Sequence, residues 1–250
     1  MSDKPIQDLA GSGHWIQGYT NIEYKRHNKD DVVYQFIRKY VQESTGNETV
    51  IEIGSFPGTY ISEFGELGYS INGIDIHPEN ARSMPAWLGS LSYRVGIFYS
   101  EDLFHFRPNV QYDIVCSFGF IEHFINYLEM IDRHDELLKT GGLLVITAPN
   151  YRGWIQKLMH KYLSPGDYAL HYIPSMNPSK WASHLEEKGY EILFQGYFGG
   201  MNFWIGTGEL NTLKRFVYNV SMRLLPFIGR FIPFESSIFS KNCGLVARKK

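Results

Sequence analysis

The stretch VIEIGSFPGTYISEFGELGYSINGIDIHPEN, residues 50–80, decides the fold. Val50, Ile51 and Ile53 are apolar without strict alternation, as expected of a strand covered on both faces. Gly54 and Gly58 then punctuate a turn, TYISEFGELG has helical spacing, and SINGIDI is a second strand ending near Asp75. A strand, a glycine turn, a helix and an acid about twenty residues on form a nucleoside-binding unit. The glycines let a ligand approach the backbone, and the helix start offers unpaired N–H groups. Asp75 can accept two hydrogen bonds from the vicinal hydroxyls of a ribose.

Outward from this unit, strands and helices alternate. SYRVGIFYS reads as a third strand and YDIVCSFGFIEHF as a fourth running into a helical turn. YLEMIDRHDELLK reads as a helix ended by Gly141-Gly142, followed by the apolar strand LLVITAPN. PSKWASHLEEKGY is expected to be a helix stopped by Gly189, with strands at EILFQGYF and CGLVARKK. Upstream, Val32, Val33, Phe36, Ile37, Tyr40 and Val41 recur at helical spacing. This order predicts an α/β, doubly wound, Rossmann-like sheet of seven mostly parallel strands, the last antiparallel, with helices on both faces.

We read residues 1–250 as one domain: an N-terminal helical lid segment (1–48), a core sheet (49–198), a helical and aromatic insertion (199–238) and a last strand (239–250). A net charge of −2 argues against a dedicated nucleic-acid binder. Cys116 and Cys243, far apart in apolar runs, read as buried thiols of a reducing compartment. With no signal-like start and no spanning apolar run, a cytoplasmic protein is expected. Charge is uneven, however. From Thr212 to Lys250 eight basic residues stand against one acid, Glu235.

The identity of the nucleoside turns on Glu52, Phe56 and Pro57. A dinucleotide cradle wants glycine where Phe56 stands. A carboxylate at Glu52 repels phosphates and suits an ammonium group, which favours S-adenosylmethionine over a nicotinamide dinucleotide. The sequence here resembles the class I S-adenosylmethionine-dependent methyltransferases, in the group related to ubiquinone-biosynthesis and bacterial cell-envelope enzymes. EIGSFPG is similar to that family's first glycine motif, GIDIHPEN to its second-strand segment, and YDIVCSFGFIEHF to its fourth-strand motif with a Glu-His pair. LLKTGGLLVITAPN and LHYIPSMNPSKWASHLEEKGYEI resemble its later segments.

The resemblance implies an enzyme that transfers a methyl group and releases S-adenosylhomocysteine. It implies cofactor contacts from Glu52, Gly54, Ser55, Phe56, Gly58, Asp75 and Ile76, and from Ser117 and Phe118 at the fourth strand's end. The acid that usually meets the adenine amino group is absent directly after Gly96, so Asp102 on a longer loop, or a backbone carbonyl, takes that place.

A hydroxyl acceptor benefits from a base within hydrogen-bond reach, and histidine suits the task. His123, at the mouth of the fourth strand, and His171, in a loop after the fifth, are the candidate catalytic residues; each could equally be a packed neutral histidine. Trp15, Tyr19 and Tyr172 are candidate acceptor contacts, with Trp15 and Tyr19 also readable as aromatic anchors. The remaining histidines, His14, His27, His77, His105, His134, His160 and His184, read as surface residues, and Glu122 as structural. The histidines lack metal-ligand spacing, so no metal is expected. The acceptor is expected to be a small or glycan-type molecule, phosphorylated or lipid-linked among the options, methylated on oxygen. Nitrogen or carbon methylation, a nicotinamide-dependent oxidoreductase and a non-catalytic nucleoside-binding subunit are the alternatives. Residues 212–234 read either as a helical insertion packed over the sheet or as a weak contact with an anionic membrane surface at the cell's inner face. Oligomeric state is left open.

Overall fold

The strands expected from residues 49–55 and 70–76 form β1 (Thr49–Ile53) and β2 (Ser70–Asp75), paired in parallel with Val50 opposite Ile71. The computed structural model describes residues 8–18, 23–26, 28–107, 109–202, 205 and 210–250. Among the described residues, two short helices precede β1: α1 (Ser12–Gly18) and α2 (Val32–Tyr40). Asp31 caps α2 by accepting from the backbone N–H groups of Val33 and Tyr34 at 2.8 and 3.1 Å, a device worth ~1 kcal/mol. Between β1 and β2 lies α3 (Ile61–Glu66). After β2, α4 (Glu79–Arg82) and α5 (Met84–Ser90) lead to β3 (Arg94–Ser100).

The second half of the sheet begins with β4 (Tyr112–Phe118), followed by a 3₁₀ turn at Ile121–His123 and α6 (Tyr127–Leu137). α6 runs directly into β5 (Leu138–Pro149), so Gly141 and Gly142 lie inside the strand and do not end the helix as expected. Then come α7 (Trp154–Leu163), α8 (Pro165–Ala169), α9 (Pro178–Glu186) and β6 (Glu191–Met201). α10 (Thr212–Gly229) and β7 (Ser240–Arg248) complete the chain. α4, α5 and α8 are short, the last two with Pro and Gly, and offer too few turns for a readable period; α7 is a regular ten-residue helix that the expected order of elements left out.

The seven strands are ordered β3-β2-β1-β4-β5-β7-β6. All are parallel except β7, which runs antiparallel to both β5 and β6. The order reverses between β1 and β4, which opens a crevice at the carboxyl ends of these two strands. Period-two alternation loads both faces. Ile51, Ile53 and Val115 pack with Met130, Ile131, Trp181 and Leu185 on one side. Val50, Ile114 and Cys116 pack with Phe36, Ile61, Phe64 and Leu88 on the other. At the opposite, amino-terminal ends, Asp113 accepts from Thr49 N and Oγ1 and from Lys139 Nζ, tying β1, β4 and the start of β5. Cys116 and Cys243 are both free and buried.

Candidate active site

The crevice holds a cavity of about 530 Å³, lined by the β1 turn, the end of β2, the loop after β3 and the end of β4. Gly54 and Gly58 shape its floor with φ of 73° and 85°, a region open to glycine at little cost. A Cβ on Gly54 would stand 2.8 Å from Phe120 Cδ2, so the turn is closed tightly against the loop after β4. Glu52, Gly54, Ser55, Phe56, Gly58, Asp75, Ile76, Asp102 and Phe118 all line this cavity.

Asp75 is held by backbone donors. His77 N–H donates to one oxygen at 2.8 Å, and Phe56 N–H to the other at 3.1 Å. Burial nevertheless raises its carboxyl to about 6, against the pull of those N–H groups. The Phe56 ring, standing where a dinucleotide cradle has glycine, stacks on the His77 imidazole with centroids 4.0 Å apart and planes within 3°. His77 is therefore buried, not a surface residue. Ser55 Oγ is turned away, donating to Asn80 Oδ1 at 2.8 Å.

Glu52 shares its strand face with Val50 and so arrives beneath the turn, where it is 3% exposed. Burial drives its carboxyl well above the ordinary range; the Ile61 N–H opposes this and the nearby Asp75 adds to it. Its Oε2 has no hydrogen-bond partner among the described residues. A buried orphan acceptor costs ~1–3 kcal/mol until a donor reaches it, and an ammonium group of a bound ligand is such a donor. The left-handed glycine turn, the paired Asp75 and the orphaned Glu52 thus fit an amino-acid-bearing nucleoside, while a pyrophosphate would meet two carboxyl groups. Asp102 sits at the other end of the cavity, its Oδ1 accepting from Phe104 N–H at 2.9 Å. Leu103 and Phe104 beside it supply apolar walls. Ser117 departs from expectation. Its hydroxyl bonds His134 Nε2 at 2.9 Å inside the core and does not line the cavity.

A second cavity, about 820 Å³, adjoins the first; Trp15, Thr59, Tyr60, Phe118, Gly119 and His123 line both. His123 and His171 are gathered here with ring centroids 4.7 Å apart. His123 Nδ1 lies 2.9 Å from Leu170 O, and His171 Nδ1 lies 2.7 Å from Asp167 O. A carbonyl only accepts, so each Nδ1 carries the proton and each neutral ring presents Nε2 as a lone pair. Burial lowers His123 to about 3, with His171 pushing the same way. Burial also lowers His171, against its contacts with Asp167.

Glu122 proves to be part of this group. It is 1% exposed, burial raises it to about 8, and its Oε2 has no partner among the described residues. Its Oε1 stands 4.0 Å from His123 Nε2. One donor atom from each of Glu122, His123 and His171 lies within 4.8 Å of the others, close enough for one hydroxyl or one small cation to touch all three. The expected lack of metal-type spacing holds only along the chain; folding brings His171 to the Glu122–His123 pair from a distant loop.

Trp15 stands edge-on to His123, centroids 4.5 Å apart, from within α1. Tyr19 and His27 lie outside the described residues. Tyr172 donates its backbone N–H to Glu122 O at 2.6 Å, but does not line either cavity. His160, also read as a surface residue, is buried and packs on Tyr151 with centroids 3.9 Å apart. His134 is likewise fully buried. Their signal was present only in the apolar stripe of the helices that carry them, α7 and α6.

The match to a family model agrees with this geometry: residues 24–195 fit the model described as "Methyltransferase domain". The chain belongs to that family and is a class I S-adenosylmethionine-dependent methyltransferase domain. This displaces the nicotinamide alternative. Among curated relatives, it is 28% identical over 129 residues to a ubiquinone biosynthesis O-methyltransferase of Bradyrhizobium sp., covering 50% of this chain and 48% of that protein. A protein of the same name from Paramagnetospirillum magneticum is 26% identical over 143 residues, 48% of this chain and 55% of that one. The chain thus matches about half the length of these relatives. In fold it is similar to a SAM-dependent methyltransferase from Archaeoglobus fulgidus, with TM-score 0.56, 20% identity, and coverage of 87% of this chain and 93% of that one. Magnesium protoporphyrin IX methyltransferase from Synechocystis PCC 6803 gives TM-score 0.56 at 15% identity, with 98% and 97% covered.

Proposed function

We propose that this protein methylates an oxygen of a small-molecule or glycan-type acceptor held in the second cavity. The observation that carries the reading is the meeting of the two cavities at His123, whose Nδ1 is taken by Leu170 O. S-adenosylmethionine, bound in the first cavity, supplies a methyl carbon activated by a sulfonium whose positive charge disappears on transfer. Glu52 is placed to accept from its ammonium group and Asp75 from its ribose hydroxyls, while Asp102 borders the adenine end. His123 and His171 are placed to accept the acceptor's O–H. The imidazole that takes this proton gains the positive charge lost nearby, so the site's net charge is unchanged. Glu122, which burial keeps protonated at pH 7, is placed to offer its carbonyl oxygen to the imidazolium N–H. Trp15, edge-on to His123, lines the junction of the two cavities.

Holding the acceptor in line is the larger part of the work, and the base adds about 10²–10⁴-fold. The names of the curated relatives, O-methyltransferases, favour oxygen over nitrogen or carbon. Two free buried thiols support a reducing, cytoplasmic setting. The test is transfer of label from methyl-labelled S-adenosylmethionine to a panel of hydroxyl, amine and carbon acceptors, with and without a chelator. Transfer to hydroxyls that continues in chelator is expected. Transfer confined to amines would overturn the oxygen assignment, and a loss restored by divalent ions would give the Glu122 cluster to a cation instead.

A further inference from the structure

α10 turns two different apolar sides outward and inward. Its inner side carries Val217, Tyr218, Met222 and Leu225, packed with Met159, Leu163 and Ile205. Its outer side carries Leu213, Phe216, Val220, Leu224 and Phe227, all exposed and spaced by three or four residues into one stripe. Phe216 is 65% exposed, and beyond the helix Phe231 is 74% exposed. An apolar stripe of this length on the solvent side is costly for a monomer in water, and such patches mark contact surfaces.

The charges beside it choose the partner. Arg215, Arg223 and Arg230 flank the stripe, all exposed and none in an ion pair among the described residues. The sole acid of the region, Glu235, is already used, accepting from Gly200 N–H and Ser240 Oγ–H. Two copies of such a face would set arginine against arginine. An anionic bilayer surface offers the complement: phosphates for the guanidinium groups and acyl chains for the stripe, in the manner of an interfacial amphipathic helix. No helix among the described residues is long and apolar enough to cross a membrane, so contact is with the surface.

Position links this surface to the chemistry. α10 packs on α7, where Lys214 Nζ stands over the Tyr162 ring at 5.6 Å. α7 exposes Trp154 and Leu158 on one side, while Gln156 and His160 on the other line the acceptor cavity. α7 alone, ~10 Å across, stands between its own exposed side and the cavity, and α10 lies against it. Lys241, at the same cavity, forms no ion pair among the described residues and suits a phosphate on the acceptor.

We propose that the outer face of α10 seats the protein on an anionic bilayer and that its acceptor is carried by a membrane lipid; the second half of this rests on the methyltransferase reading above. The full chain is tested by co-sedimentation with vesicles of phosphatidylcholine alone, or with a third of the lipid replaced by phosphatidylglycerol. Binding to the anionic vesicles is expected to exceed that to neutral ones at least tenfold and to weaken with salt. F216S/L224S, which changes only exposed side chains, should lose at least tenfold, while keeping its affinity for S-adenosylhomocysteine by calorimetry. Equal binding to both vesicles, none to either, or an unchanged F216S/L224S overturns the membrane face; loss of self-association in that variant without vesicle binding would overturn it in favour of a second copy. Label from methyl-labelled cofactor should enter the organic extract of membranes, and label confined to water-soluble products overturns the lipid acceptor. Because homocysteine-product affinity is read separately, the membrane face can fail while the cofactor site stands, and the reverse.

Discussion

His123 and His171 face each other at 4.7 Å, each fixed by its Nδ1 to a carbonyl of α8 or of Leu170, the residue that ends it. The two rings are therefore oriented from one short segment. Replacing either with alanine is expected to lower kcat about 10²–10⁴-fold, with S-adenosylhomocysteine affinity changed less than about threefold. Single-turnover rates and calorimetry on each variant measure both quantities. A fall below tenfold in both variants would remove histidine from the base role.

Asp75, as the proposed ribose acceptor, should make cofactor binding pH-dependent. Its carboxyl sits at about 6, raised chiefly by burial, and ribose hydroxyls need it as an acceptor. Below that pH the free protein is increasingly protonated at Asp75, so binding must release a proton. Affinity for S-adenosylhomocysteine should fall as pH drops from 7 to 5, approaching tenfold per unit below 6. Calorimetry in buffers of differing ionisation enthalpy reads the released proton directly. Asp75→Ala should weaken binding strongly at pH 7 and remove the part of the proton release that titrates near pH 6.

Gly54 and Gly89 make a paired test of backbone demand. A methyl group at Gly54 meets both φ of 73° and Phe120 at 2.8 Å, whereas Gly89 lies in α5 with nothing within 4 Å. Gly54→Ala should lose ~1–3 kcal/mol of stability, and Gly89→Ala should gain up to ~1 kcal/mol. Urea unfolding of both variants checks the contrast.

His134 should tie stability to pH. Burial lowers it to about 4, while its Nδ1 is held by Met130 O at 2.6 Å and Nε2 by Ser117 Oγ. Between about 4 and the unfolded value of 6.5, the unfolded chain binds the proton more readily. Its contribution is therefore complete above pH 6.5 and lost as pH falls toward 4, on the order of 3 kcal/mol. Asp75 and Glu122, both raised, act in the opposite direction, so the readout is the difference between proteins. His134→Gln should be less stable at pH 7 and lose less than the parent on acidification to pH 4.5.

The legible parts of this protein were local ones. The β1 turn, the Asp75 acid and the β4–His123 segment each occupy a few consecutive residues, and backbone geometry follows from neighbours. Short helices broken by Pro and Gly, such as α5 and α8, gave no such signal. Among the histidines, residue type said nothing of burial: His77, His134 and His160 are enclosed by elements remote from them in the chain. Ser117 was misplaced for a related reason, since a one-residue step along β4 turns its side chain from the crevice into the core.

The amino-acid order by itself determined the seven-stranded alternation, the nucleoside turn and the methyltransferase family, because these depend on period, glycine and acid at short range. Tertiary structure alone decided that Glu122, His123 and His171 converge, that Glu52 is left without a donor, and which side of α10 faces water. Such facts depend on packing across tens of residues, where loop closure and burial, rather than local preference, set which groups meet.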